Sequence, residues 1–70
     1  MRLSARNQLK GTVVDIHEGV TNAKVTVDIG NGNRITSMIS MEAVKELNIQ
    51  VGSQVVAVIK ASSVMLGIDG

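Results

Sequence analysis

The chain has 70 residues, seven basic and six acidic for a net charge of +1, one histidine, and no cysteine, proline or aromatic Phe, Tyr or Trp. Without cysteine there is no disulfide and no thiolate metal site, and one histidine leaves a structural zinc ion short of ligands. Near-neutral charge is a poor electrostatic footprint for nucleic acid or a membrane surface, and no apolar run approaches the ~20 residues of a membrane span or forms an N-terminal signal core.

In chain order, residues 8–16 read as a first strand. Leu9, Val13, Val14 and Ile16 are apolar around Gly11, which marks a bulge or a close backbone approach. Residues 17–22 read as a turn. Residues 23–29 alternate cleanly, with Ala23, Val25, Val27 and Ile29 on one face and Lys24, Thr26 and Asp28 on the other, which predicts a half-buried strand. Gly30-Asn31-Gly32-Asn33 tolerates positive φ and predicts a tight hairpin, with a return strand from Arg34 to about Ile39. Ser40 is a good N-cap for a helix over residues 41–47, Glu42 complements its dipole, and Asn48 ends it. Val51-Gly52-Ser53 is a further turn, and residues 54–60 and 64–68 are the last two strands.

Five short strands with one short helix between the third and fourth predict an all-β, OB-like barrel. Closure into a barrel also removes aggregation-prone edges. The whole of 1–70 is expected to be a single domain. A chain this small buries only about 60% of its unfolded surface, yet 44% of its residues are hydrophobic and its mean hydropathy is positive. The surplus predicts apolar surface buried between subunits, in an obligate homo-oligomer. With no aromatic side chain available, Val, Ile, Leu, Met and Ala build the core, and Met1, Met38, Met41 and Met65 read as core filler rather than soft metal ligands.

Two polar clusters stand out against this background: Ser4-Ala5-Arg6-Asn7-Gln8 near the start and Lys60-Ala61-Ser62-Ser63 near the end. Both are rich in hydroxyl, guanidinium, ammonium and backbone N–H donors, and neither contains a carboxylate. Donors without acceptors suit a fully deprotonated oxyanion. On composition alone the first cluster also reads as a solvated arm, and Lys60 as an edge lysine snorkelling to water. Ser40 has a sufficient role as a helix cap, although a helix start also offers unpaired N–H groups to an anion.

Ser4-Ala5-Arg6-Asn7-Gln8, followed by Leu9-Lys10-Gly11 and a valine-rich strand, closely resembles the Mop domain of molybdate-binding proteins. The match continues through Ile35-Thr36-Ser37-Met38-Ile39-Ser40 and Ala57-Val58-Ile59-Lys60-Ala61-Ser62, so it covers nearly the whole chain. In length the chain is similar to molbindins, which are single Mop domains standing alone. The resemblance implies that Ser4, Ala5 and Arg6 hold the oxyanion through hydroxyl, backbone N–H and guanidinium. It implies a second ligand segment at Lys60, Ala61 and Ser62, a further hydroxyl from Ser40, and support from Asn7 and Gln8. The implied ligand is molybdate or tungstate, held between subunits of a hexamer built as a trimer of dimers. The implied role is intracellular storage or homeostasis of that anion in the cytoplasm. His17-Glu18 departs from the basic residues common in this turn of the family, which puts a second anion site there in doubt.

The rival readings are weaker. An OB-like module for single-stranded nucleic acid needs aromatic stacking platforms in a basic groove, and neither is present. Catalysis needs a base near its partner, but His17 stands in a polar turn and the carboxylates form no recurring pair. The same domain also serves as a regulatory unit of molybdate transport ATPases and molybdate-responsive regulators. A chain opening at Met1 with nothing to regulate in cis favours storage, so neither enzyme nor nucleic-acid partner nor membrane is expected.

Overall fold

The computed structural model describes residues 4–70. Its elements are β1 (Asn7–Glu18), β2 (Asn22–Gly30), β3 (Asn33–Ser40), the helix α1 (Met41–Glu46), β4 (Gln54–Ile59) and a single 3-10 turn at Ala61–Ser63. The strands form one antiparallel sheet in the order β3-β2-β1-β4. The first half of β1 pairs with β4, from Asn7 opposite Ile59 to Thr12 opposite Gln54. Its second half pairs with β2, from Thr12 opposite Asp28 to Glu18 opposite Ala23, with a bulge between Val13 and Asp15. Two backbone bonds clip the bulge to the loop before β4: Val13 N–H donates to Ser53 O at 2.9 Å, and Gly52 N–H to Val13 O at 2.8 Å. The bend at this point curls the sheet into a half-barrel.

Gly11 sits where β1 passes from one partner to the other. A Cβ there would lie 2.6 Å from the carbonyl oxygen of Asp28 and 2.6 Å from Val27 Cγ1. The close approach anticipated at this glycine is therefore present, whereas the bulge falls three residues later. In the β2–β3 hairpin Asn31 (φ 54°) and Gly32 (φ 75°) both occupy the left-handed region, as a primed hairpin turn demands. Asp28 Oδ1 accepts from Gly30 N–H at 2.8 Å where the register shifts.

The helix opens on Ser40, whose Oγ accepts from Ala43 N–H at 3.0 Å. It closes on Asn48 at φ 53°, with Asn48 N–H donating to Lys45 O at 3.1 Å and Ile49 N–H to Val44 O at 2.9 Å. That paired pattern is a Schellman motif, which satisfies the last carbonyls and turns Ile49 back onto Val44. The buried core is Val13, Ala23, Val25, Val27 and Val44, flanked by Ile16, Ile29, Ile39, Met41, Ile49 and Val55. Each fully buried valine contributes about 1.5–3 kcal/mol.

Four expectations need correction. There are four strands, not five: residues 64–68 join no strand, because no strand edge of their own chain lies alongside them to accept their hydrogen bonds. His17 and Glu18 belong to β1, opposite Lys24 and Ala23; their polar side chains mark the wet face of a strand end, and the turn is confined to Gly19-Val20-Thr21. β4 stops at Ile59 and the helix at Glu46, each one residue short of the expected end. Of the methionines, Met41 packs on the core, but Met38 is 66% and Met65 92% exposed. Met1 lies outside the described residues.

Sheet curvature brings the two free edges, β3 and β4, to face each other across an apolar cleft of about 390 Å³. Beyond Ser63 the chain leaves the body altogether. Met65, Leu66 and Ile68 are 92%, 95% and 99% exposed, and the Cα radius of gyration is 13.0 Å against about 11 Å for a compact chain of this length.

Candidate functional site

The β1–β4 ladder ends at Asn7 opposite Ile59. Since the pairing is antiparallel, the next residue out on one strand is Arg6 and on the other Lys60. Two segments 54 positions apart in the sequence thus leave the sheet side by side, and continuation of the register sets Ala5 toward Ala61. Arg6 and Lys60 are both solvent-exposed, as are Ser4, Ala61 and Ser62, while Ala5 and Asn7 are half-buried. Gln8 is tied to this loop, its Nε2 donating to Ala5 O at 3.3 Å. Of the support residues, Gln8 therefore braces the segment and Asn7 anchors it in the ladder.

The second segment is shaped by its 3-10 turn. Ser63 N–H donates to Lys60 O at 2.8 Å and Val64 N–H to Ala61 O at 3.2 Å, so those two donors are consumed in closing it. The turn has no side-chain cap. Its hydroxyls and the Lys60 ammonium point into solvent beside Arg6. Taken together the two segments contribute two positive charges, three hydroxyls counting Ser4, Ser62 and Ser63, and no carboxylate. Such a set attracts an anion and offers it donors from two directions.

Ser40 is not part of this cluster within one chain. It pairs with Asn22 at the far end of β2, and β2 meets β1 there at Glu18. From Asn7 to Glu18 is eleven steps of strand, on the order of 35 Å at ~3.3 Å per residue. Ser40 is held in place by its cap bond and by Met41 N–H donating to the Thr21 carbonyl at 2.8 Å. Accepting from Ala43 leaves the serine proton free to donate elsewhere. The part played by Thr21 escapes sequence reasoning because a backbone carbonyl leaves no side-chain signature.

His17 faces solvent next to Lys24 across the β1–β2 ladder, remote from Arg6 and Lys60. Among the described residues no group of three His, Cys, Asp or Glu is gathered for a metal cation, and no helix is long and apolar enough to cross a membrane. The chemistry available at the Arg6–Lys60 end is therefore recognition by charge and hydrogen bonds.

Comparison with known proteins bears on the same surface. The TOBE domain model matches residues 3–66. A Haemophilus influenzae protein described as "Probable molybdenum-pterin-binding protein" is 56% identical over 69 residues, covering 99% of this chain and all of the relative. Among solved structures, MopII from Clostridium pasteurianum superposes with a TM-score of 0.89 at 46% identity, over 96% of this chain and all of that one. The cytoplasmic molybdate-binding protein ModG, solved with molybdate bound, superposes with a TM-score of 0.93 at 52% identity, over 99% of this chain and 49% of ModG.

Proposed function

The chain belongs to the TOBE-domain family, and from that premise we propose that it is a cytoplasmic molybdate-binding protein, without catalytic activity, that stores or buffers the oxyanion. The observation that carries this reading is the convergence of Arg6 and Lys60 at one end of the β1–β4 ladder, in a pair of segments free of carboxylates. Molybdate carries two negative charges, and these two side chains match them. Hydrogen bonds to charged groups contribute roughly 1.5–3 kcal/mol each, so several convergent ones reach micromolar affinity, about −8 kcal/mol. Ser4, Ala5, Ala61 and Ser62 add hydroxyl and backbone donors.

Ser40 enters from a second copy. Its place at the opposite end of β1 keeps it from Arg6 of its own chain, so a site using all of these residues lies between subunits. Homo-oligomerisation supports the same arrangement, since Leu47, Val51, Met65, Leu66 and Ile68 are all more than half exposed, apolar surface that a lone chain leaves in water. A hexamer of three dimers is the assembly proposed, with one domain per chain.

Tungstate, of the same charge and similar shape, binds comparably. Sulfate is smaller and cannot meet every donor at good distance, and phosphate near pH 7 retains a proton that this donor-only site cannot accept. Competition calorimetry at constant ionic strength is the test. The expected order is molybdate and tungstate alike, sulfate much weaker and phosphate weakest; displacement of molybdate by an equal concentration of phosphate would reduce the protein to a general anion binder.

A further inference from the structure

Residues 64–69 run Val-Met-Leu-Gly-Ile-Asp, so an extended backbone places Val64, Leu66 and Ile68 on one face and Met65, Gly67 and Asp69 on the other. That alternation belongs to a strand with one buried face, yet the segment joins no strand of its own chain. The cleft between β3 and β4 has the complementary deficiency. Ile35 and Ile39 on one side, Val55 and Ile59 on the other, and Val25 and Val27 beneath line an apolar slot between two unpaired strand edges. Six residues of tail match the six of β4 in length. The tail does not fold back over its own β4: the Ala61–Ser63 turn, closed by its two hydrogen bonds, delivers Val64 in extended conformation (φ −92°, ψ 122°) and sends the chain outward. The occupant that fits the cleft is the tail of a second copy.

The turn that aims the tail is also the second oxyanion segment. We propose that the tail of one copy docks as a fifth strand between β3 and β4 of another, and that an oxyanion held by Arg6, Lys60 and the Ala61–Ser63 turn locks the tail in that position. This rests on the oxyanion reading above. The turn is exposed throughout and closed by only two bonds, one of them 3.2 Å long. An anion drawing together the start of β1, the end of β4 and the turn removes the freedom by which the tail swings. Ligand occupancy thereby governs how readily subunits exchange.

The experiment mixes the full-length protein grown in ¹⁴N and ¹⁵N media and follows mixed oligomers by native mass spectrometry, with sodium molybdate or with sodium chloride at equal ionic strength. Molybdenum per chain is measured on the same samples. If the anion must leave before the tail can, exchange slows by up to about 100-fold at 100 times Kd; at least a tenfold slowing is expected. Hydrogen exchange at the amides of residues 64–68 slows in parallel, while the β2–β3 hairpin does not respond. Bound molybdenum with exchange and tail protection unchanged within twofold overturns the locking alone. Absence of bound molybdenum overturns the oxyanion reading and the locking together. Docking has its own readout: p-benzoylphenylalanine in place of Leu66 should crosslink to residues 35–39 or 55–59 of a differently labelled copy, and crosslinks confined to its own chain, or landing elsewhere, overturn it.

Discussion

The β2–β3 hairpin and the stretch after β4 are comparably rich in apolar residues but end in opposite states. In the hairpin every inward side chain finds cover within the chain: Ala23, Val25 and Val27 are buried, and Asn31 and Gly32 close the turn in the backbone region it requires. After Ile59 the chain makes one short turn and then exposes Met65, Leu66 and Ile68 almost completely. The difference is one of partners, not of intrinsic strand preference. A strand is defined by the edge it pairs with, and the second region's edge is missing from its own chain. One region is finished by folding and the other by assembly.

The most damaging test of that comparison removes the second region. A chain ending at Ser63 should keep its hairpin, read as retained β-type circular dichroism, but lose the oligomer at low micromolar concentration in sedimentation or native mass spectrometry. Persistence of the full assembly would mean that the tail is a bystander and that other exposed apolar residues, such as Leu47 and Val51, hold the subunits together.

Gly11 tests the junction between the two regions. The 2.6 Å approach to the Asp28 carbonyl leaves no room for a side chain, so Gly11→Val must push β1 off either β2 or β4. Overpacking against backbone costs about 3 kcal/mol. At the 4–8 °C per kcal/mol typical of small domains, that is a fall of more than about 10 °C in Tm at fixed protein concentration. A loss below about 2 °C would show that the two halves of β1 are less tightly coupled than the register indicates.

Legibility in the sequence followed the same division. The alternation from Ala23 to Ile29, the Asn31-Gly32 turn and the Ser40 cap were all readable because each is a local pattern whose partner lies within a few residues. The chemistry of Ser4, Arg6, Lys60 and Ser62 was readable by resemblance and by the missing carboxylates. Their meeting was not, because it depends on β4 pairing with the first half of β1, and register leaves no local trace. His17 and Glu18 passed for a turn because a strand's wet end has a turn's composition. The tail passed for a fifth strand of its own barrel because alternation reports a buried face without saying whose core buries it; Met65 failed as core filler for the same reason.

Within the candidate site, Arg6→Ala and Lys60→Ala each remove one charge facing a dianion. A charge-assisted hydrogen bond of roughly 1.5–3 kcal/mol corresponds to about 10- to 150-fold in affinity. Both side chains are exposed, so Tm without ligand should stay within about a degree while calorimetry records the weakened molybdate binding. Equal losses from the two variants would place the anion between them. A loss from one alone would assign the site to a single segment, and affinities within twofold of the parent protein would move the site elsewhere.

The smallest effect on stability is the most informative about assembly. Ser40 caps α1 through Ala43 N–H at 3.0 Å, and Ser→Ala at an N-cap costs about 1 kcal/mol. Aspartate caps as well as serine, so Ser40→Asp should leave Tm nearly unchanged while Ser40→Ala lowers it by a few degrees. The aspartate also puts a negative charge and an acceptor where the proposed site requires a donor. Were the site built from one chain, Ser40 would stand a whole strand length from Arg6 and Lys60, far beyond the ~8 Å Debye length at physiological salt, and molybdate affinity would be untouched. Were it completed by a second copy, Ser40→Asp would abolish binding with no change in the helix. The pair of variants thus separates capping from ligation and, through the ~35 Å of β1 between the two ends, decides whether the anion is held within a chain or between chains.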